Sequence, residues 1–484
     1  MVEEHKNYID GQWVESESGR TFEVHNPARL SEVTGRFPLS SEQDVDRAIR
    51  AAKKGFSTWT EFSPQKRAGI LKDARQLMKE RREEIAQILT RENGKTLEEA
   101  RGEIDYALSD MEFQIAEGMR MAGETMPVTM SGVNAYSIRV AVGIVGVITP
   151  WNFPFNVPTA KCVPALASGC AVIFKPASQT SHTGIKLVEL FEDAGVPEGV
   201  INCVLGSGRE VGNAIASDPR MDAITFTGST EVGRTINALA AENLVRTQLE
   251  MGGKNGVIVL KDADIEAAVS DTISAAFGTS GQKCTATSRA IVVDEIADEF
   301  VEKLLEGVHS IRVGEGTEEN VDIGPVTGKD QLEKILSYIE LGQEEGARLL
   351  TGGQRLTGPD YDDGCFVAPT VFDEVTPEMR IAREEIFGPV LSIERVRDFE
   401  QALGVHNDTP YGLSGSLYTR NLEQAQKFVQ RADVGVTHVN LMTALNEPQL
   451  SFGGMKDSGY GIPEAGRTGM DFYTEQKVAY VKYK

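Results

Sequence analysis

The sequence predicts an α/β protein, and three observations carry that prediction. Continuous apolar segments alternate with helical ones from Gly143 to Leu260, the pattern of a parallel sheet covered on both faces. A second series of the same kind starts after Asp262. Two stretches fit neither series: residues 124–140 and Lys477–Val481 alternate like exposed strands. A chain of 484 residues is also too long for one ordinary core, so two or three packed units are expected.

The elements follow in order. Residues 7–40 read as short strands, with a hairpin pattern over Tyr8–Val14 and a further strand at Thr21–Val24. Ser41 opens a helical run with Val45, Ala48, Ile49 and Ala52 on one face. Ser63-Pro64 starts the next helix, through Ile70, Leu71, Ala74 and Leu77. Others are expected around Ile85–Thr90 and Leu97–Met119. The first series has strands at Gly143–Thr149, Cys170–Phe174, Val200–Leu205, Ala223–Thr227, Arg246–Leu249 and Asn255–Leu260, with helices at 156–168 and from Thr230. The second has a helix Asp264–Ser280, a strand Arg289–Asp294, helices Ala297–Ile311 and Gln331–Glu345, and strands at Val390–Ile393, Ser414–Tyr418 and Gly435–Val439.

Composition excludes several functions. The formal charge is -23, which argues against nucleic acid or an anionic membrane as partner. The N-terminus has no basic-then-apolar signal, and the apolar run Val140–Ile148 is far short of a bilayer span, so a cytoplasmic location is expected. Five cysteines without Cys-x-x-Cys, and six scattered histidines, point to neither a disulfide framework nor a metal site.

Parallel sheets of this kind bind ligands at the carboxyl ends of their strands, and four ends stand out. The first reads Thr149-Pro150-Trp151-Asn152-Phe153-Pro154, where a rigidly held amide suits an oxyanion donor as well as it suits a plain proline-locked loop. The second is Lys175-Pro176-Ala177-Ser178, whose lysine can bond ribose hydroxyls or phosphate, or simply face solvent. The third, Gly228-Ser229-Thr230-Glu231-Val232-Gly233, lets backbone amides approach a pyrophosphate; Gly206-Ser207-Gly208 is a rival turn. The fourth, Glu250-Met251-Gly252-Gly253-Lys254, sets a carboxylate beside two glycines, open to water as a general base or engaged as a cap or ion pair. Among the cysteines, Cys162, Cys170, Cys203 and Cys365 sit in apolar surroundings and suit packing. Cys284 lies in Gly281-Gln282-Lys283-Cys284-Thr285, where an ammonium and free amides would lower a thiol pKa; a surface loop has the same composition.

Taken together, these stretches resemble the aldehyde dehydrogenase superfamily over essentially the whole chain. The motifs occur in family order: Trp151-Asn152-Phe153-Pro154, Lys175-Pro176, Phe226-Thr227-Gly228-Ser229, Glu250-Met251-Gly252-Gly253-Lys254, Gly281-Gln282-Lys283-Cys284, Glu385-Ile386-Phe387-Gly388-Pro389 and Phe452-Gly453-Gly454-Met455-Lys456-Asp457-Ser458-Gly459. The resemblance implies a Rossmann-like cofactor-binding domain (1–123 and 141–255, with 449–468 returning to it), an α/β catalytic domain (256–448) and a β oligomerisation arm (124–140 and 469–484), assembled as homodimers or homotetramers. It casts Cys284 as nucleophile, Asn152 and the Cys284 backbone amide as oxyanion hole, and Glu250 as the base that activates water. It implies an NAD or NADP site with Lys175 and Glu385 at the riboses, Phe387 near the nicotinamide and Gly228 and Ser229 at the pyrophosphate. Thr149, Pro150, Trp151, Ser178, Gly208, Gly212 and Phe226 complete the implied cofactor contacts, and Phe155 and Phe452 border the substrate pocket.

One departure bears on the cofactor. NAD-preferring relatives often carry glutamate where this chain has Ser178. A carboxylate there repels a 2′-phosphate and a serine can donate to it, so NADP is the expected preference. The region from Asn440 to Glu464 is similar to bacterial α-ketoglutaric semialdehyde (2,5-dioxopentanoate) dehydrogenases, which implies oxidation of that aldehyde to 2-oxoglutarate. Lactaldehyde, succinate semialdehyde and aromatic aldehydes are the alternative substrates. A relative that passes its acyl group to coenzyme A would be expected to lack the base at Glu250, and a non-enzymatic relative would be expected to lose Cys284 or the cofactor contacts.

Overall fold

The computed structural model describes residues 2–484. Its first sheet has eight strands in the order Gln12–Val14, Asn7–Ile9, Ile201–Cys203, Ala171–Lys175, Ile144–Ile148, Ala223–Thr227, Arg246–Glu250 and Gly459–Tyr460. The five central strands are parallel, and the two amino-terminal strands and Gly459–Tyr460 add antiparallel edges. Moving outward from Ile144–Ile148, the chain fills one side first and then returns to the other with Ala223–Thr227. The direction of winding therefore reverses between these two neighbours, and a crevice opens there at their carboxyl ends.

Alternation explains the two-sided burial. Val145, Val147, Val172 and Phe174 face one core, with the helices Pro64–Glu80 and Leu97–Gly118. Ile144, Ile148 and Ile173 face the other, with the helix Glu42–Thr60. The second sheet has seven strands in the order Arg348–Thr351, Thr370–Asp373, Val390–Val396, Arg289–Val293, Gly256–Val259, Ser414–Tyr418 and Val436–Val439. All but the first are parallel. Val257, Val259 and Val292 point to one of its cores and Ile258, Leu260 and Ile291 to the other.

The strand Thr474–Lys482 pairs along its full length with Val133–Ala141, which also carries the short Thr125–Met126. This ribbon leaves Tyr136, Ile138, Val478, Tyr480 and Val481 exposed. No helix among the described residues is long and apolar enough to cross a membrane.

Several boundaries differ from the sequence expectation for local reasons. The helix expected over Asp264–Ser280 stops at Phe277, because Gly278 is extended and Thr279 and Ser280 are left-handed. The expected strand Arg289–Asp294 loses Asp294, which begins the helix Asp294–Ser310 three residues before the expected start at Ala297. The expected strand Val200–Leu205 is reduced to Ile201–Cys203, although the Val200 carbonyl and the Val204 amide still bond the neighbouring strand. Strands Arg348–Thr351 and Thr370–Asp373 were not anticipated; the first is short and half-buried, with little apolar alternation to read.

Two glycines in helices make opposite demands. Gly55 lies where the helix Glu42–Thr60 crosses the Gly199–Val200 peptide, and a Cβ there would overlap that backbone. Gly69, in the helix Pro64–Glu80, has open space around it. Gly69→Ala is expected to raise stability by about 0.5–1 kcal/mol through helix propensity. Gly55→Ala is expected to lose about 1–3 kcal/mol despite the same propensity gain, because the helix must shift off the sheet. Thermal unfolding of both variants beside the parent measures the difference; a stabilised Gly55→Ala would contradict the packing argument.

Candidate active site

The register of the first sheet brings the four unusual strand ends together. Lys175 pairs with Ile148, Ile148 with Phe226, and Thr227 with Glu250. The segment Thr149–Asn152, Lys175, the turn at Gly228 and Glu250 therefore share one rim, flanking the point where the winding reverses.

The Asn152 loop is pinned from behind. Lys95 and Glu103 form a fully buried ion pair of 2.6 Å, and Lys95 Nζ also donates to the Asn152 carbonyl at 2.8 Å. Glu103 accepts from the backbone amides of Phe155 and Asn156, and Asn93 donates to the Trp151 carbonyl. Both oxygens of Glu103 and two of the Lys95 protons are thus engaged, which offsets the cost of burying the pair. The Asn152 side-chain amide forms no hydrogen bond among the described residues and is free for a ligand. Phe155, expected at the substrate pocket, instead lies fully buried in the core. As the residue that begins the helix Asn156–Ser168, it turns beneath the rim, while Phe153 lies against Lys95.

Lys175 is almost fully buried, donates to the Pro176 carbonyl at 2.6 Å, and has its pKa pushed down to about 8 by burial. Ser178 is half-buried and donates to the Gly206 carbonyl at 2.9 Å. It also borders a cavity of about 430 Å³ together with Gln179, Thr327, Gly328 and Lys329. Gly208–Gly212 forms a single wide helical turn, and a Cβ at Gly212 would come within 3.9 Å of the Lys175 side chain. Ser229 caps the helix Thr230–Ala241, accepting from the Val232 amide at 3.4 Å, so that the first amides of that helix face the rim. Phe226, read as a cofactor contact, is buried instead. Its ring fills the space below Gly228 and backs the turn from the core side.

Cys284 follows three consecutive left-handed residues, Thr279, Ser280 and Gly281, with φ of 55°, 53° and 68°. The strain is held by long-range bonds: Thr279 N–H to Glu99, Ser280 Oγ to the Gly324 carbonyl, and the Thr327 amide to Gln282 Oε1. Gly281 packs so closely on the Gly388 carbonyl that no side chain fits there. Asn255 Nδ2 donates to the carbonyls of Cys284 (2.7 Å) and Ala286 (2.9 Å), and its Oδ1 accepts from the Ser414 amide. Thr443 Oγ1 donates to the Thr285 carbonyl. The Gly252-Gly253 turn that follows Glu250 lies against the Cys284 carbonyl and against Glu385, whose Oε1 accepts from the Gly253 amide at 2.9 Å. Phe387, itself left-handed at φ 61°, meets Trp151 edge-on at 5.4 Å across the rim.

The electrostatics overturn one expectation. Lys283 reaches away to the Ser274 carbonyl, and its charge does not bring the thiol down. Burial, then the nearby Glu385, Glu250 and Glu464 carboxylates, push the Cys284 thiol up to about 12. The Glu250 carboxyl is raised well above its ordinary range, first by burial and then by Glu464. Its Oε2 has no partner, and it is buried where open access to water was expected. The other cysteines are buried, as expected of packing residues, with their thiols raised by burial.

Lys161 and Glu464 escaped the sequence reading. Lys161 Nζ, fully buried, pairs with Glu464 at 2.6 Å and donates to Thr225 Oγ1 at 2.9 Å. A lone lysine in the otherwise uncharged helix Asn156–Ser168 could have flagged it. Phe452 donates its amide to the Glu464 carbonyl at 2.7 Å, and the adjacent Gly453 lies against Glu250 Oε1, which places Phe452 beside the carboxylate.

Known proteins resemble this chain over nearly its whole length. The pattern of the aldehyde dehydrogenase family matches residues 13–479. The α-ketoglutaric semialdehyde dehydrogenase of Bacillus subtilis is 44% identical over 98% of both chains. Malonate-semialdehyde dehydrogenase 2 of Geobacillus kaustophilus is 41% identical over 98% of this chain and 97% of its own. The crystal structure of betaine aldehyde dehydrogenase from Staphylococcus aureus in complex with NAD+ superposes with a TM-score of 0.96 at 34% identity, covering 99% of this chain and 95% of that one. The chain has the aldehyde dehydrogenase fold and belongs to the aldehyde dehydrogenase family, as an enzyme that takes NAD or NADP.

Proposed function

We propose that this enzyme oxidises α-ketoglutaric semialdehyde to 2-oxoglutarate through a covalent intermediate on Cys284. The observation that carries the chemistry is the join at Asn255, which holds the Cys284 loop against the turn that follows Glu250. In this reading Cys284 releases its proton to water and its Sγ adds to the aldehyde carbon. The Asn152 amide and the Cys284 backbone N–H donate to the oxygen that becomes negative. A nicotinamide held at this rim would supply the acceptor for the hydride on that carbon. The thioester left on Cys284 is then attacked by water, whose proton passes to Glu250, and the acid departs as the thiol is restored.

The residues fit the cofactor. Lys175 bonds only its neighbour's carbonyl and retains donors, Glu385 has one oxygen uncommitted to Gly253, and the Gly228-Ser229 turn presents helix amides. Lys175, Ser178 and Glu385 would hold the riboses, Thr149–Trp151 and Gly228-Ser229 the pyrophosphate, and Phe387 the nicotinamide side. Gly208 and Gly212 would line the adenosine end. Lys329 borders the same cavity as Ser178 and forms no ion pair among the described residues, which supports a 2′-phosphate and hence NADP. The substrate reading rests on the 44% relative, whose name specifies the semialdehyde of a dicarboxylic acid; the 41% relative supports malonate semialdehyde as the second reading. Residues 1–123, 141–255 and 449–468 form the cofactor domain in this proposal, and 256–448 the catalytic one. The apolar ribbon of 124–140 and 469–484 suits a homodimer or homotetramer interface, and the location is cytoplasmic.

Cys284→Ala is expected to abolish aldehyde oxidation with cofactor affinity changed less than about twofold by nicotinamide fluorescence; retained turnover removes the nucleophile assignment. Glu250→Gln is expected to keep the pre-steady-state burst of reduced cofactor while steady turnover falls about 10²-fold or more. In the parent, steady turnover should fall on the acid side as Glu250 protonates. Because its pKa is raised, that limb lies above the ordinary carboxylate range. A limb at ordinary carboxylate pH, or loss of the burst in Glu250→Gln, contradicts the assigned role. A panel of α-ketoglutaric, malonate and succinate semialdehydes, lactaldehyde and an aromatic aldehyde, each with both cofactors, tests the substrate. The first should have the highest kcat/KM and NADP should serve at least as well as NAD. Another aldehyde in front overturns the substrate, and NADP about tenfold or more behind NAD overturns the cofactor preference.

A further inference from the structure

Where the N-terminal segment meets the helix Ser181–Asp193, the fold gathers three metal-ligating side chains that no step of the reaction uses. Glu3, His5 and His182 each offer one ligand atom, and these atoms all lie within 4.8 Å of one another. His5 Nε2 has no hydrogen-bond partner, although the side chain is only 8% exposed. Its nearest acceptor, Glu3 Oε2, is 4.0 Å away. An orphaned, buried imidazole nitrogen facing a second imidazole and a carboxylate is a costly arrangement unless something fills it.

The three ligands are held in place before any ion arrives. His5 N–H donates to the Arg36 carbonyl and Arg36 N–H to the Glu3 carbonyl, so residues 3–5 run as an added strand beside Arg29–Pro38. The His5 ring stacks on Phe37 at 4.7 Å with 6° between planes. His182 lies in the first turn of the helix Ser181–Asp193, where its own amide and that of Thr183 are bound by Glu92. The two imidazole centroids are 4.4 Å apart. The neighbouring cations are already engaged: Lys186 with Glu84 and Glu189 at 3.0 Å each, Arg91 with Glu32.

We propose that Glu3, His5 and His182 bind one divalent transition-metal ion, of the zinc, cobalt or nickel class, which cross-links the N-terminal segment to the helix Ser181–Asp193. Two imidazoles and one carboxylate select such ions over magnesium or calcium, which prefer all-oxygen sites. The sequence gave no warning of it, because the two histidines stand in distant segments without ligand spacing.

The test titrates the full-length, chelator-treated protein with Co²⁺, following ligand-field absorption, and measures thermal unfolding with and without Zn²⁺. One saturable equivalent is expected, without a sulfur-to-cobalt charge-transfer band, and Zn²⁺ should raise the unfolding temperature. His182→Gln and His5→Gln should each weaken Co²⁺ binding about tenfold or more. Cys284→Ser should leave it unchanged. As His5 is packed on Phe37, His182→Gln and Glu3→Gln carry the test if His5→Gln misfolds; their metal-free unfolding temperatures should match the parent. Absence of saturable binding, an unchanged affinity in His182→Gln, or loss of binding in Cys284→Ser overturns the proposal.

Discussion

One side-chain amide holds the two halves of the molecule in register. Asn255 is buried at the start of the second sheet, one residue beyond the Glu250–Lys254 turn that leaves the first. Its Nδ2 binds the carbonyls of Cys284 and Ala286, its Oδ1 the amide of Ser414, and its backbone carbonyl the amides of Ser288 and Arg289. An aspartate of the same shape would offer no donor for the two carbonyls, and an alanine would leave all three groups bare. The distance from the Cys284 loop to the carboxyl end of the Glu250 strand is therefore set by a fixed network and not by the packing of flexible side chains.

The site that results is hostile to charge. Glu250, Glu385 and Glu464 all disfavour a thiolate at Cys284, and only Lys161, buried with Glu464, stands against them near the base. The free thiol is consequently a protonated, poorly nucleophilic group, and a protonated thiol is also slow to oxidise. Glu250, unpartnered at one oxygen and raised by burial and by Glu464, is a stronger base than an ordinary carboxylate. The same crowding of carboxylates that quiets the thiol strengthens the base.

The strands and the motifs at their ends were legible because each has a one-dimensional signal: apolar continuity for a buried parallel strand, glycine and proline for the turn after it. The helix Asn156–Ser168 and the strand Ser414–Tyr418 match the residues expected from periodicity. What the sequence hid depends on direction. Phe155 and Phe226 flank the right loops yet point into the cores, since a helix start and a strand's pleat decide which face a side chain takes. Lys283 sits next to Cys284 in sequence and turns its ammonium away, while Glu464, far along the chain, acts on the thiol. Lys95, Glu103 and Lys161 carry no mark in the sequence that sets them apart from surface charges, yet all three are buried.

The left-handed run Thr279–Ser280–Gly281 has a consequence for how the enzyme comes into being. Its partners Glu99, Gly324 and Gly388 are far apart in sequence, and the local bonds from Gln282 reach only the Thr279 carbonyl. Contacts of such long sequence separation are costly in chain entropy and form late. The nucleophile's loop therefore takes shape only after both sheets have folded and docked. A ribosome-bound or half-folded chain carries the cysteine but not its setting, so the thiol is quieted only once both sheets are in place.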